Sequence, residues 1–344
     1  MNFHFLISDE VLNFLGWSTS GKYACPHCMG YTDAFSLRYG RKTCWFDCHR
    51  KFLRVDHPFR KNRDNFKRGK RAINDYPPPI LNGNDILREI EHLGLRKITE
   101  VGAEEHNAVA GRDSGWKKRS IFWDLPYWPS LRIRHNLDVM HIEKNVFDNI
   151  FNTVANIPGK SKDNLKARLD LRDVCKRPEL EPDVTNSRYP KAKYTLSREE
   201  KRILFDWLKN VKFPDGYASN LSRCIDVQKL KVFGMKSHDC HVFMQRLLPI
   251  AFRPFLDNKY WEPLAQISVF FRDLTCYELS KDLVQNMHEE IPLIICKLEQ
   301  IFPPAFFDSM EHLPLHLPME ATLGGPVQYR WMYPFERYII INVI

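Results

Sequence analysis

The central stretch of the chain is Arg134-His135-Asn136-Leu137-Asp138-Val139-Met140-His141-Ile142-Glu143-Lys144-Asn145, which holds two acids, two histidines and two amides. Leu137 and Val139 alternate with polar residues, which predicts a short half-buried strand. From Glu143 onward the apolar positions recur at spacings near 3.6, which predicts a helix. Asp138 and Glu143 would then stand at a strand-to-helix junction, where side chains can converge on one site. The alternative is that both acids cap the helix and complement its dipole.

The composition bounds the class of protein. The chain has 344 residues, enough for two or three domains, and its 44% hydrophobic and 27% charged content is typical of a soluble globular protein. No apolar run approaches the roughly 20 residues that span a bilayer, so we expect no membrane partner. We also find no signal-peptide pattern. The nine cysteines are odd in number and scattered, which indicates a reduced intracellular protein and not a disulfide framework.

A run of cysteines and histidines near the N-terminus predicts a structural zinc site. Cys25-Pro26-His27-Cys28 has the spacing of a zinc knuckle, and thiolate and imidazole ligands favour zinc over hard cations. The remaining ligands are expected from Cys48 or His49, which are adjacent and strained as joint ligands, and from His57. The alternative is a pair of reduced cysteines in a small hairpin.

A basic window overlaps this segment. Residues 38–71 contain thirteen Lys or Arg and three Asp, a net charge of +10 against +9 for the whole chain. Interleaved aromatic residues (Phe52, Phe59 and Phe66) suit contact with a nucleic-acid backbone. The residues predicted to contact DNA are Arg50, Lys51, Arg54, Arg60, Lys61, Arg63, Lys67 and Arg68. A solvated arm or a nuclear-import patch is the alternative, and the two are compatible.

The rest of the chain reads as mostly helical. Ser197-Arg198-Glu199-Glu200 is a capping box that opens a helix, and further helices are predicted near 237–249, 261–276 and 279–299. The fold class is α+β and helix-rich. We predict four segments: residues 1–75 with a core strand and the zinc-like basic region, a linker at 76–116, a central segment at 117–195 and a helical C-terminal region at 196–344.

Several motifs together resemble the transposases of plant CACTA (En/Spm) elements. They run in order along nearly the whole chain: Gly16-Trp17-Ser18-Thr19 with Cys25-Pro26-His27-Cys28, Phe46-Asp47-Cys48-His49-Arg50 with Phe52-Leu53, Leu125-Pro126-Tyr127-Trp128 through Asn145, Pro158-Gly159-Lys160, Met235 to His241, and Leu323 to Tyr338. The resemblance implies a cut-and-paste DNA transposase that acts in the nucleus on the terminal repeats of its element. It leaves the oligomeric state open.

The resemblance also implies a catalytic site. Such enzymes place three acids on an RNase H-like fold and bind two Mg²⁺ or Mn²⁺ ions for an in-line phosphoryl transfer. Asp9, Asp138 with His141, and Glu336 stand at the matching positions, and Glu143 competes as the third acid. The family's upstream region, with a further acid on the first core strand, does not occur in this sequence.

From that comparison we expect a partial RNase H-like core, truncated at its N-terminus, with a large helical insertion and an incomplete catalytic site. The first hypothesis is thus a transposase-derived protein that is catalytically incomplete. The alternatives are a non-enzymatic, zinc-containing DNA-binding module and the decayed remnant of a transposable element.

Overall fold

The computed structural model describes residues 16–332, apart from 67–71, 73, 98, 184, 187, 215–216 and 218–219. Helices dominate this part of the chain, which agrees with the predicted helix-rich α+β class. Its named strands form two short hairpins, so the predicted RNase H-like core is not confirmed. The strand predicted at residues 1–9 lies outside the described residues.

The helices follow one another along the whole described chain. Those of the first part are α1 (Pro58–Lys61), α2 (Gly83–His92), α3 (Ala103–Ala110), α4 (Val139–Val154), α5 (Leu165–Val174) and α6 (Arg198–Asn210). Those of the second part are α7 (Ser237–Val242), α8 (Leu248–Phe252), α9 (Asn258–Leu274), α10 (Lys281–Ile301), α11 (Ser309–His312) and α12 (Leu317–Gly324). A π-helical turn at Phe243–Leu247 joins α7 to α8.

The strands contribute little to the core. β1 (Phe35–Ser36) pairs antiparallel with β2 (Thr43–Cys44), and β3 (Ile225–Asp226) pairs antiparallel with β4 (Lys231–Val232). Each ladder is two residues long, too short to provide a buried sheet face. The core of the described chain is therefore built by helix packing.

The helix α4 begins earlier than the sequence predicts. Asp138 is its N-cap and accepts a hydrogen bond from the backbone N–H of His141 at 3.2 Å. The predicted strand at Leu137 and Val139 is wrong, because Val139 is already the first helical residue. The capping alternative is confirmed for Asp138. Two alternating residues carry too little periodicity to compete with a good cap.

The other helix predictions agree with the structure. Ser197 and Glu200 form the reciprocal capping box at the start of α6. The segments predicted near 237–249, 261–276 and 279–299 correspond to the continuous α7–α8 helix and to α9 and α10. Their apolar faces and those of α4 and α6 form one large core, in which aromatic rings meet, as Phe147 and Phe151 do with Phe243.

The segment 76–116, predicted as a linker, contains the helices α2 and α3. Asn82 caps α2, and Gly83 lies so close to Pro129 that an added Cβ would stand 2.2 Å from its carbonyl oxygen. A second, smaller apolar core covers this helix; its buried members are Trp17, Met29, Ile86, Ile90, Leu95, Trp116 and Trp123. The polar composition of the segment hid this core, because the partners of Ile86 and Ile90 are distant in sequence.

Within the described ranges, every helix is too short or too polar to cross a bilayer.

Candidate metal centre

The candidate metal centre is built from two parts of the chain. The first is the loop that carries Cys25 and Cys28. The loop lies between two 3-10 turns, Gly21–Tyr23 and Met29–Tyr31, and both thiols are buried. The backbone N–H of Cys28 donates to Cys25 Sγ at 3.3 Å, and the N–H of Met29 donates to the Cys25 carbonyl at 3.0 Å. A backbone donor aimed at sulfur stabilises a thiolate, as in zinc knuckles.

The second half comes from the far end of the chain. His312 is the last residue of α11, and His316 ends the 3-10 turn Leu313–His316 that follows. Two histidines four residues apart on helical backbone share one face. Two hydrogen bonds fix the start of α11. The Glu311 carboxylate accepts from the N–H of Asp308, and the Asp308 carboxylate accepts from the N–H of Met310. Both imidazoles are thus presented from a capped and buried element.

These four side chains converge. Cys25 Sγ lies 3.3 Å from His316 Nε2, and Cys28 Sγ lies 3.2 Å from His312 Nε2 and 3.4 Å from His316 Nε2. The two Nε2 atoms are 3.2 Å apart. Ligand atoms about 2.0–2.3 Å from a tetrahedral zinc ion stand about 3.3–3.8 Å from one another. The four atoms therefore fit a tetrahedral ion with only small adjustment.

The protonation states suit metal binding. Burial lowers the pKa of His312 to about 3, so its imidazole is neutral and offers a lone pair. Burial opposes ionisation of Cys25, but the hydrogen bond with Cys28 and the two imidazoles together hold the pKa of Cys25 well below its usual value. The hydrogen bond with Cys25 and burial raise the pKa of Cys28.

The residues predicted to complete the zinc site lie in two different places. Cys48 Sγ lies 3.9 Å from His312 Nδ1, on the other side of that imidazole, and 3.6 Å from His49 Nε2. His49 Nδ1 lies 2.6 Å from the buried carboxylate of Glu299. Cys48, His49 and His312 thus form a second group of ligand-type atoms beside the first. His57 instead caps α1, where its Nδ1 accepts a hydrogen bond from the N–H of Phe59.

The sequence analysis missed His312 and His316, although one signal pointed to them. The segment Glu311-His312-Leu313-Pro314-Leu315-His316 carries two histidines at a spacing of four, which metalloproteins use on a helix face. Nothing in the local sequence joins this pair to Cys25, which lies 291 residues before His316. The fold supplies that proximity.

The acids implied by the resemblance have different surroundings. Asp9 and Glu336 lie outside the described residues, so their positions relative to the other acids stay a prediction. Asp138 is a partly exposed helix cap. Glu143 is fully buried in α4, with its carboxylate 2.6 Å from His241 Nδ1 and 2.9 Å from the Gln245 amide nitrogen that donates to it. Gln245 belongs to the π-helical turn, a geometry that often marks functional sites.

The burial of Glu143 predicts a pH dependence of stability. Burial raises its pKa above the usual 4.5, although the contacts with His241 and Gln245 act in the opposite direction. Between about pH 4.5 and that raised pKa, the unfolded chain loses a proton that the folded chain keeps, so the free energy of unfolding falls as pH rises. We expect Glu143→Gln to flatten this decline in urea unfolding measured from about pH 4.5 to about pH 7.5.

An exposed substitution, Glu290→Gln, serves as the control and should leave the pH profile unchanged. The difference between two profiles therefore reports the substituted residue together with its direct partner, which for Glu143 is His241. Parallel profiles for the unmodified chain and Glu143→Gln would contradict the prediction.

Three of the residues predicted to contact DNA are buried. Arg50 donates to Asp47 and to two backbone carbonyls, and its guanidinium lies 4.4 Å above the ring of Phe66. Lys51 donates to Asp33, and Arg60 donates to four backbone carbonyls. Side chains held in this way cannot reach a phosphate backbone, which corrects the prediction for these three residues.

The remaining basic residues of the window fall into two groups, exposed residues and residues outside the described ranges. Arg54, Lys61 and Arg63 are exposed. Lys67 and Arg68 lie outside the described residues. The aromatic residues are also used by the fold, because Phe66 is fully buried with Leu53 and Cys296 in a small apolar cluster. The surface that remains available to a polyanion is therefore narrower than the sequence suggests.

Comparison with known proteins adds two matches. Residues 9–93 match a family described as transposase family tnp2, and residues 274–342 match a domain of unknown function, DUF4218. No curated protein and no solved structure matches the chain. Residues 9–93 are therefore similar to a transposase family, and the two matched ranges together cover less than half of the chain. Cys25 and Cys28 lie in the first matched range and His312 and His316 in the second, so the metal-centre residues join the two.

Proposed function

We propose that this transposase-family chain derives from a CACTA-type cut-and-paste transposase of plants, binds DNA and folds around one structural zinc ion. The observation that carries the proposal is the Cys25, Cys28, His312 and His316 cluster, because each matched range supplies one pair of ligands. An ion held by both pairs would fix the two ranges against each other. The sequence motifs that run through both ranges support the CACTA assignment.

The ligand chemistry favours zinc in a structural role. Two thiolates and two imidazoles at tetrahedral spacing form a closed set that zinc prefers. All four positions would be taken by protein atoms, which leaves none for water or substrate. We therefore assign no catalytic step to this centre, and phosphoryl transfer would need separate hard cations held by carboxylates.

For those cations we propose Asp9, Asp138 and Glu336, with His141 beside Asp138. Glu143 competes with Glu336 for the third position, and its surroundings count against it. Its carboxylate is fully buried and already contacts His241 and Gln245, so it is not open to a hydrated Mg²⁺ ion. When bound, Mg²⁺ or Mn²⁺ would supply the charge that activates the attacking oxygen and stabilises the leaving oxygen.

Mg²⁺-dependent cleavage of DNA by the full chain tests the enzymatic reading. Cleavage should be lost in Asp138→Asn and retained in Asp148→Asn, a partly exposed acid on the same helix that pairs with Lys144. DNA binding without cleavage would favour the second candidate, a non-enzymatic zinc-containing DNA-binding module. The observation that favours this candidate is the closed, buried ligand set of Cys25, Cys28, His312 and His316, which suits a structural ion. Either reading places the protein in the nucleus, which fluorescence imaging can check.

The exposed basic residues carry a prediction about DNA affinity. If Arg54, Lys61 and Arg63 contact phosphates, replacing all three with glutamate should weaken binding of duplex DNA at low salt. The slope of log affinity against log salt concentration should become shallower by about one for each lost contact. Fluorescence anisotropy across a salt series measures both quantities.

The matched control replaces three exposed basic residues in another region, Lys193, Arg202 and Lys229, with glutamate. This variant has the same net charge, so it isolates the position of the charge from its amount. Equal slopes for the two triple variants would reassign residues 54–63 to a solvated surface.

A further inference from the structure

A third cluster of ligand-type side chains lies next to the group of Cys25, Cys28, His312 and His316 and shares none of its residues. It consists of His27, His135 and Glu320, whose candidate ligand atoms all lie within 4.8 Å of one another. His27 Nε2 lies 2.9 Å from Glu320 Oε1. The rings of His27 and His135 have centroids 5.0 Å apart and are inclined at 67°. Three parts of the chain, distant in sequence, thus bring two imidazoles and one carboxylate together.

His135 supplies an independent observation that points to a ligand. Its Nε2 atom is buried and has no hydrogen-bond partner in the structure. Buried polar atoms in native proteins are normally paired. An unpaired ring nitrogen beside two other ligand-type groups therefore points to a bound ion at this position.

Glu320 is held in place as metal-binding carboxylates usually are. Its side chain is fully buried, and its Oε2 accepts hydrogen bonds from the N–H of Leu137 at 3.2 Å and from Arg330 Nη1 at 3.2 Å. Outer contacts of this kind orient a ligand and are a regular part of metal sites. Oε1 is the oxygen that faces His27. The N–H of Leu137 also donates to Oε1, at 3.4 Å, so outer contacts orient both oxygens, and Oε1 is the one directed toward the cluster.

The cluster lies at the wall of a cavity of about 420 Å³. All three residues line it, together with apolar neighbours that include Ile133, Met319 and Leu323. An ion with three protein ligands keeps a coordination position for a further molecule, as catalytic zinc sites do. Here that position would face the cavity. In the neighbouring group, Cys25, Cys28, His312 and His316 would fill all four coordination positions of their ion.

We propose that His27, His135 and Glu320 bind a second divalent transition-metal ion, with an open coordination position toward this cavity. Two imidazoles and one carboxylate suit Zn²⁺, Co²⁺ or Fe²⁺ better than Mg²⁺, which prefers an all-oxygen shell. The neighbouring centre does not oppose a second cation, because two thiolates neutralise its ion. The ring of His27 stacks on that of His316 at 4.7 Å, so the two sites adjoin. The proposal does not depend on DNA binding.

Cobalt titration of the zinc-free full chain tests it, because the two sites differ in ligand type. One equivalent of Co²⁺ should give the intense thiolate-to-cobalt absorption of a sulfur-ligated site. A further equivalent should bind without increasing that absorption, and isothermal titration calorimetry should count two ions per chain. His135→Ala and His27→Gln should each bind one equivalent and keep the thiolate band.

The control is His288→Ala, which alters the same cavity but none of the three ligands. It should still bind two equivalents, and circular dichroism checks that every variant remains folded. A single equivalent in the unmodified chain, or two equivalents in folded His135→Ala, would overturn the second site. A missing thiolate band would instead contradict the zinc centre, so the two failures are distinguishable.

Discussion

Replacing Cys25 with serine is expected to remove one equivalent of zinc from the purified full chain and to lower its free energy of unfolding by about 5 kcal/mol or more. The loss is large because binding of a structural zinc ion contributes roughly 10–16 kcal/mol in small zinc domains, and that contribution acts directly on folding. Cys25 is fully buried, and its replacement leaves the metal with a single thiolate, Cys28, beside His312 and His316. Metal analysis and urea unfolding measure the two effects.

Matched variants decide which residues complete the centre. His316→Ala should resemble Cys25→Ser in both measurements, whereas Cys296→Ser, a buried thiol outside the cluster, should retain its zinc. His49→Ala tests the ligand set predicted from sequence. If His49→Ala releases as much zinc as Cys25→Ser while His316→Ala releases none, the assignment of the fourth ligand made from the structure is contradicted.

The zinc centre shows which part of a site sequence spacing can reveal. Cys25 and Cys28 were predictable because a two-residue gap is a local property of a knuckle. Their partners were not, since His312 lies 284 residues after Cys28 and His316 lies 291 residues after Cys25, and only the folded chain brings them together. A fragment of residues 1–75 would hold the two thiols without these imidazoles. The full chain is therefore required to test the centre.

Helix periodicity and capping predicted most of the helical architecture. The start of α6 and the helices α9 and α10 follow from a capping box and from apolar spacing, which are local signals. The cores were harder to predict. Ile86 and Ile90 lie in a polar segment, and only the arrival of Trp17, Trp116 and Trp123 from other parts of the chain makes their helix part of a core.

Charge was the least informative signal. The sequence shows a window with a net charge of +10, but it does not show which of these side chains face water. Arg50 and Arg60 are among the largest fully buried side chains of the described residues. An arginine that donates to several carbonyls can hold an irregular segment together, because five N–H groups satisfy acceptors that no helix or sheet pairs. Short elements such as α1 supply many such acceptors.

Arg60 allows a sharp separation of folding from DNA binding. Its guanidinium donates to the backbone carbonyls of Leu53, Ala72, Lys51 and Asp75 at 2.6–3.1 Å, and its side chain is 1% exposed. Arg60→Ala would leave these carbonyls without their donor in a buried place. We expect the free energy of unfolding to fall by about 3–5 kcal/mol, within the range for disrupting a buried charged network. Urea unfolding measures this change.

The neighbouring residue provides the control, because Lys61 is exposed. Lys61→Ala should change the free energy of unfolding by less than about 0.5 kcal/mol. Both variants remove one positive charge, from adjacent positions. The DNA assay should show the opposite pattern to the unfolding assay, with the larger effect in Lys61→Ala. The salt slope of DNA binding should decrease in Lys61→Ala and stay unchanged in folded Arg60→Ala. A decreased slope in Arg60→Ala with unchanged stability would show that this arginine leaves its carbonyl partners to contact phosphate. That result would restore it to the DNA-binding set.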